Sequence, residues 1–280
     1  MLKPRIRRVH ETSKAWQLGG LAVLLIAAIA LWGVALNKPI PTSAVSRATP
    51  VATPTPSETT EQISPTVADS MALLEDVDRE WSLSVLGDST GNGDHEWVYL
   101  VAESLSSEYD RQVTIHDWDD RMNEYGSEHT VGDGPNAAIT IWNSSASGQS
   151  PDYQLRYLAA AYPEPADLVI VNHGHNASSE FVMTTSIARL IFEVNNAFVA
   201  RPAVAVTLQN PRTDDTAEIQ ESVVAALREQ YSEGDYSLID VYSAFDKNDL
   251  GSTLGDDGRH PTEAGEKVWA SAVETALGLR

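Results

Sequence analysis

The sequence predicts an α/β domain built on a mostly parallel sheet with helices on both faces. Three observations predict it. Short apolar runs bounded by turn residues alternate with longer stretches of helical periodicity. The runs are apolar nearly throughout instead of alternating, as strands buried on both faces read. The polar residues able to do chemistry follow the runs, at the strand ends where open parallel sheets bind ligands.

Taken in order, strands are expected at Ser82–Leu86, Gln112–His116, Ala137–Trp142, Asp167–Asn172, Ala203–Leu208 and Ser237–Val241. Helices are expected between them. Phe181, Ile187, Leu190, Ile191, Val194 and Phe198 recur at helical spacing, as do Ile219, Val223, Ala226 and Leu227, and then Val268, Ala272, Val273 and Leu277. No internal repeat interrupts this alternation.

The N-terminal quarter reads differently. Leu18–Leu36 carries no charge and is long enough for a helix to span a bilayer core. Lys3, Arg5, Arg7, Arg8 and Lys14 precede it, which places residues 1–17 in the cytoplasm and everything after Asn37 outside. Residues 18–36 are therefore expected to be a transmembrane signal-anchor. The alternative is a cleaved signal peptide and a secreted product, with Ala28-x-Ala30 or Gly33-x-Ala35 as the cleavage site. Residues 37–70 are rich in Pro, Thr and Ser and are expected to form an extended linker, reaching on the order of 100 Å. The folded domain is expected over 71–280.

Composition narrows the function. The net charge is −21, and the basic N-terminus leaves the rest more acidic still, so nucleic-acid phosphates are not expected partners. With no cysteine, thiol catalysis, disulfides and cysteine-held zinc are excluded.

Two motifs carry chemistry. Gly87-Asp88-Ser89 directly follows the first apolar run, and Asp257-Gly258-Arg259-His260 precedes the last helix. A serine hydroxyl becomes a nucleophile when a base takes its proton, and histidine does this near neutral pH. A carboxylate three residues earlier can accept the other ring N–H and fix the tautomer. Acyl transfer also needs donors for a developing oxyanion. Asn143-Ser144-Ser145-Ala146-Ser147-Gly148 and Asn172-His173-Gly174-His175-Asn176 offer them after the third and fourth runs.

Taken together, Ser, Gly, Asn and His in this order resemble the SGNH hydrolases, also called the GDSL family of esterases and lipases. The resemblance runs from Trp81 to the C-terminus. It implies a flavodoxin-like three-layer α/β/α fold and no metal or cofactor. It also implies Ser89 as nucleophile, with Asp257 and His260 completing the triad. The backbone N–H groups of Ser89 and Gly148 and the Asn176 side chain are implied as the oxyanion hole. Two positions depart from the family pattern: Thr90 stands where an apolar residue often follows the serine, and Ala177 where an aspartate commonly follows the asparagine.

Other signals are set aside. His173 and His175 alternate along an extended segment and do not converge as a metal pair, and His175 is expected to line the cleft. Asp246–Gly251 resembles a calcium loop, but Leu250 occupies an oxygen-ligand position, so a turn is expected. Asn143-Ser144-Ser145 and Asn176-Ala177-Ser178 match the glycosylation pattern inside the proposed site, where a glycan would block substrate. Trp97, Trp118 and Trp142 are expected in the core. The expected function is a membrane-anchored extracytoplasmic serine esterase for short-acyl esters, acetyl esters of carbohydrate among them. Its partner would be a small-molecule or glycan ester. An acyltransferase passing the acyl group to a sugar would use the same residues. A non-catalytic surface binding module would leave the triad broken, and here it is intact.

Overall fold

The computed structural model describes residues 64–232 and 236–279. The chain divides into two units, Met1–Thr60 and Glu61–Arg280, and the described residues belong to the second. The expected basic N-terminus, the anchor over 18–36 and the linker as far as residue 63 lie outside them. Among the described residues, no helix is long and apolar enough to cross a membrane.

The linker boundary at residue 70 needs correction. Helix α1 (Val67–Ala72) starts earlier, on a capping box in which Thr66 Oγ1 accepts from the Asp69 N–H and Asp69 accepts from the Thr66 N–H. Val67, Ser70 and Met71 are buried, and the Trp81 indole N–H donates to the Ser70 carbonyl at 3.1 Å. A four-residue cap inside a Pro/Thr/Ser-rich stretch outweighs the composition around it.

All six expected strands form. They are β1 (Trp81–Gly87), β2 (Arg111–Asp119), β3 (Glu124–Asn143), β4 (Leu168–Asn172), β5 (Ala203–Leu208) and β6 (Ser237–Asp240), in the order β2-β3-β1-β4-β5-β6. The pairs β1–β3, β1–β4, β4–β5 and β5–β6 are parallel. The strand β3 runs well beyond its expected length. Its first part folds back antiparallel on β2, with Glu124 opposite Asp119 and Val131 opposite Val113. Its second part faces the same strand with numbers rising together, Val113 with Ile139 and Asp117 with Asn143. The expected run Ala137–Trp142 is thus the parallel half.

The longer helices that pack on the sheet include α2 (Trp97–Tyr109), α3 (Pro151–Arg156), α4 (Glu180–Ala197), α5 (Ala217–Tyr231) and α6 (Glu263–Leu277). One core lies between the sheet and α1, α2 and α6, holding Val85, Ile141, Ile170, Leu105 and Val273. The other lies under α4 and α5, holding Leu86, Val171, Val206, Ile187 and Leu227. Strands that supply side chains to both cores must be apolar throughout, which is why they read as continuous runs. The apolar stripe of α4 runs through Met183, Ile187, Leu190, Ile191 and Val194. Phe181 is not part of it. It stands 76% exposed on the first turn, before the helix meets the sheet.

The N-terminus of α2 rests on a buried carboxyl. Glu266 of α6 accepts from the Trp97 N–H at 2.9 Å, and the Trp97 and Trp269 rings stack at 6.1 Å. Burial, with the Glu96 carboxylate nearby, pushes the Glu266 carboxyl up to about 8 despite that N–H. The folded state therefore keeps a proton that the unfolded chain releases near its ordinary value. The stabilisation is complete below the unfolded value and is lost as pH rises through about 8. Glu266→Gln keeps a neutral acceptor for Trp97 and removes this slope. In thermal melts its Tm should exceed the wild type's by several degrees at pH 8.5 and match it near pH 4.5. Equal melting at both pH values would contradict this.

Candidate active site

The strand β1 pairs with β3 on one side and β4 on the other, so its C-terminal end opens into the crevice where chain order reverses. Gly87 ends it. A Cβ there would stand 2.7 Å from Ser145 Oγ and 3.3 Å from Asn172 Cβ, so only glycine allows the strand end to sit this close to both loops. Two residues on, half-buried Ser89 places its Oγ 2.8 Å from His260 Nε2.

His260 is held from its other side. Its Nδ1 lies 2.5 Å from Asp257 Oδ2, while Asp257 Oδ1 accepts from the backbone N–H groups of Arg259 and His260, both at 3.0 Å. With the Nδ1 proton bound to Asp257, Nε2 is free to accept from the serine hydroxyl. Partial burial pushes the Asp257 carboxyl up. The His260 ring N–H and the two backbone N–H groups outweigh it and hold the carboxyl at about 2. Asp257 thus stays ionised wherever His260 can act as a base. The Gly255 N–H to His260 carbonyl bond closes the loop at 2.8 Å, and Thr262 caps α6 directly behind it.

Beneath Ser89 lies a polar network that the sequence reading missed. Asp88 is fully buried, and burial pushes its carboxyl up to about 6, moderated by bonds from Thr90 and Gln209. Its Oδ1 accepts from the Thr90 N–H at 3.1 Å, the Thr90 hydroxyl at 2.9 Å and Gln209 Nε2 at 3.1 Å. Thr90 Oγ1 also accepts from Asn172 Nδ2 at 3.1 Å. The departure from an apolar residue at Thr90 is therefore structural: the hydroxyl ties the ends of β1, β4 and β5 together. The signal for Gln209 was its place immediately after the apolar run Ala203–Leu208.

Asn176 reaches the same network. Its Nδ2 donates to Asp88 Oδ2 at 3.2 Å and to the Gln149 carbonyl at 2.9 Å. Gly148, next to Gln149, is exposed, with φ +69 and nothing within 4 Å of where a Cβ would be. Its loop is anchored behind it, where Gln154 Nε2 donates to the Gly87 and Ser144 carbonyls at 2.7 and 3.1 Å. Ser89, His260 and Asp257 are thus in direct contact. Asn176 joins them through Asp88, and Gly148 sits on the loop beside Asn176.

The remaining signals resolve simply. His175 does not line the cleft: it is buried, and its Nε2 meets the Asn210 carbonyl at 3.0 Å. Among the described residues, no group of three or more His, Asp or Glu is placed to hold a metal ion. Asn143 is buried and donates to the Gly91 carbonyl at 2.8 Å, which leaves no room for a glycan. Asp246 accepts from the Asn248 N–H at 2.9 Å in the expected turn. Trp97 and Trp118 are buried, while Trp142 is half-buried and stacks on His116 at 4.1 Å.

The family described as GDSL-like Lipase/Acylhydrolase matches residues 82–273. No curated protein sequence matches. Among solved structures, a member of the lipolytic G-D-S-L family from Veillonella parvula DSM 2008 is similar at TM-score 0.51 and 14% identity, covering 70% of this chain and 97% of that one. The lipase/acylhydrolase from Enterococcus faecalis is similar at TM-score 0.52 and 14% identity, covering 71% and 97%. A two-domain esterase active on acetylated mannans, co-crystallised with mannopentaose, is similar at TM-score 0.52 and 16% identity. The match covers 77% of this chain and 54% of that esterase. At these identities the likeness is one of fold.

Proposed function

We propose that this chain, which belongs to the GDSL-like lipase/acylhydrolase family and is an esterase/lipase-type hydrolase, cleaves short-acyl esters through an acyl-enzyme on Ser89. The observation that carries this is the contact chain Ser89 Oγ to His260 Nε2 to Asp257, at 2.8 and 2.5 Å. Ser89 Oγ attacks the ester carbonyl while Nε2 takes its proton, and Asp257 stabilises the imidazolium that forms. The Ser89 and Gly148 N–H groups and the Asn176 amide then hold the oxyanion. Both N–H groups of the Asn176 amide are already engaged before substrate arrives. Buried Asp88 keeps its bond, and the Gln149 carbonyl on the exposed loop yields its place to the oxyanion. His260 next delivers its proton to the leaving alcohol. It then takes one from the water that attacks the acyl-enzyme, and Ser89 recovers its proton as acid is released.

The substrate class rests on two supports. The apolar segment 18–36 behind basic residues favours a domain tethered outside the cytoplasm, where envelope or extracellular glycans are the esters at hand. One structural neighbour is itself active on acetylated mannans. The test is turnover of p-nitrophenyl esters of increasing acyl length and of acetylated mannan and xylan oligosaccharides, by the full chain in washed membranes. Acetyl should be the best acyl group, and acetate should be released from the oligosaccharides. A rate that climbs with chain length to long acyl groups would overturn the short-acyl reading. Activity found wholly in the soluble fraction would overturn the tether.

A further inference from the structure

The loop after β5, Gln209–Thr216, contributes no group to the proposed chemistry, yet it holds two of the segments that do. Asp214 is its hub. Its Oδ1 accepts from Arg212 Nε at 3.0 Å and from the Thr216 N–H and hydroxyl at 3.1 and 2.9 Å. Its Oδ2 accepts from Arg212 Nη2 and, at 3.0 Å, from Arg259 Nη2. One carboxylate thus binds two guanidinium groups with opposite destinations. Arg212, with its side chain 2% exposed, sends Nη1 to the His175 carbonyl at 2.5 Å, one residue before Asn176. Arg259 lies between Asp257 and His260.

Backbone links run beside these ion pairs. The Thr213 N–H donates to the Gly258 carbonyl at 2.8 Å, and Asn210 Nδ2 donates to the Arg259 carbonyl at 3.0 Å. Asn210 in turn accepts from Gln220 and meets His175 Nε2. Arg212, with further help from Arg259, holds the Asp214 carboxyl well below the usual range against its partial burial. Its charge therefore persists across the working pH of an esterase.

We propose that Asp214 is a positioning residue that aligns the base and one oxyanion donor together, fixing Asp257–His260 through Arg259 and His175–Asn176 through Arg212. This rests on the reading of Ser89 and His260 as nucleophile and base. A small drift of either segment would spoil the 2.8 Å contact on which proton transfer depends, with little effect on substrate binding.

The test uses the full chain, with Asp214→Asn, Arg259→Gln, Arg259→Lys and the Asp214→Asn/Arg259→Gln double variant. With p-nitrophenyl acetate, Asp214→Asn and Arg259→Gln should each lower kcat about tenfold or more with KM within about twofold. Arg259→Lys should recover most of the loss. The double variant should be no worse than Asp214→Asn alone, because both changes cut the same link. The second readout needs no turnover: the downfield proton resonance of the His260 Nδ1–H, identified by its disappearance in Asp257→Asn, should broaden or vanish in Asp214→Asn. Losses that multiply in the double variant would overturn the proposal. So would a fall in Tm with kcat within about twofold and an unchanged proton resonance. If Asp214→Asn does not fold, partly exposed Arg259 still carries the test. If the wild-type chain turns over no ester, the esterase reading fails, and the resonance alone decides this inference.

Discussion

Ser89→Ala should lower kcat for ester hydrolysis by on the order of 10⁴-fold or more, with Tm within a degree or two of the wild type. Among the described residues the serine hydroxyl meets His260, so its removal takes away the proposed nucleophile and leaves the network beneath intact. Asp88, Thr90, Asn172 and Gln209 bond to one another without it. His260→Ala should cost a similar factor. The double variant should be no worse than either single one, because nucleophile and base act as a unit. Steady-state rates with parallel melts check this. Multiplicative losses, or residual turnover near the wild-type rate in Ser89→Ala, would show that Ser89 is not the nucleophile.

The largest expected effect on stability lies at the other end of the sheet. Arg111 opens β2 and is fully buried. Among the described residues its guanidinium is held by backbone carbonyls: Arg79 at 2.6 Å and Ala137 at 3.0 Å through Nη1, and Leu74 at 2.8 Å and Asp76 at 2.6 Å through Nη2. One side chain thus ties the segment leading into β1 to β2 and to the parallel half of β3. Arg111→Ala would leave these buried carbonyls without donors. It should cost about 3–5 kcal/mol, as removal of one partner from a buried charged network does. Arg111→Lys keeps the charge but cannot reach all four carbonyls in one plane, and should recover only part of the loss. Urea unfolding measures both. Because β2 starts at the end of the sheet opposite Ser89, kcat of the folded fraction should be unchanged. A loss below about 1 kcal/mol in Arg111→Ala would mean that water satisfies these carbonyls.

The sheet was legible because parallel strands buried on both faces must be apolar, so β1, β4 and β5 announce themselves. The first part of β3 did not. Residues such as Glu124, Glu128 and Thr130 are exposed and held by backbone pairing to β2, which leaves no hydrophobic pattern. The helix α1 was hidden in a composition typical of linkers. The contact of Asp257 with His260 was legible because they are three residues apart, a spacing at which one carboxylate can reach the ring and the loop backbone together. What surrounds it was not. Beside their near neighbours, Asp88, Gln209, Arg212 and Asp214 find partners across distant strands and loops, and a single sequence carries no mark of which strand ends meet. Asp88 shows this most clearly. As part of Gly-Asp-Ser it was plainly visible, yet its burial and its bonds to Gln209 and Asn176 exist only once β1, β4 and β5 are assembled.

Ester cleavage by the proposed route depends above all on Ser89 as the residue that carries the acyl group. The most direct measurement is intact-protein and peptide mass spectrometry of the chain after brief reaction with p-nitrophenyl acetate and acid quench, and after labelling with a fluorophosphonate. One covalent equivalent is expected, located on Ser89 in both reactions and absent from Ser89→Ala. An adduct on another residue, or full ester turnover with Ser89 unmodified and replaceable, would contradict it.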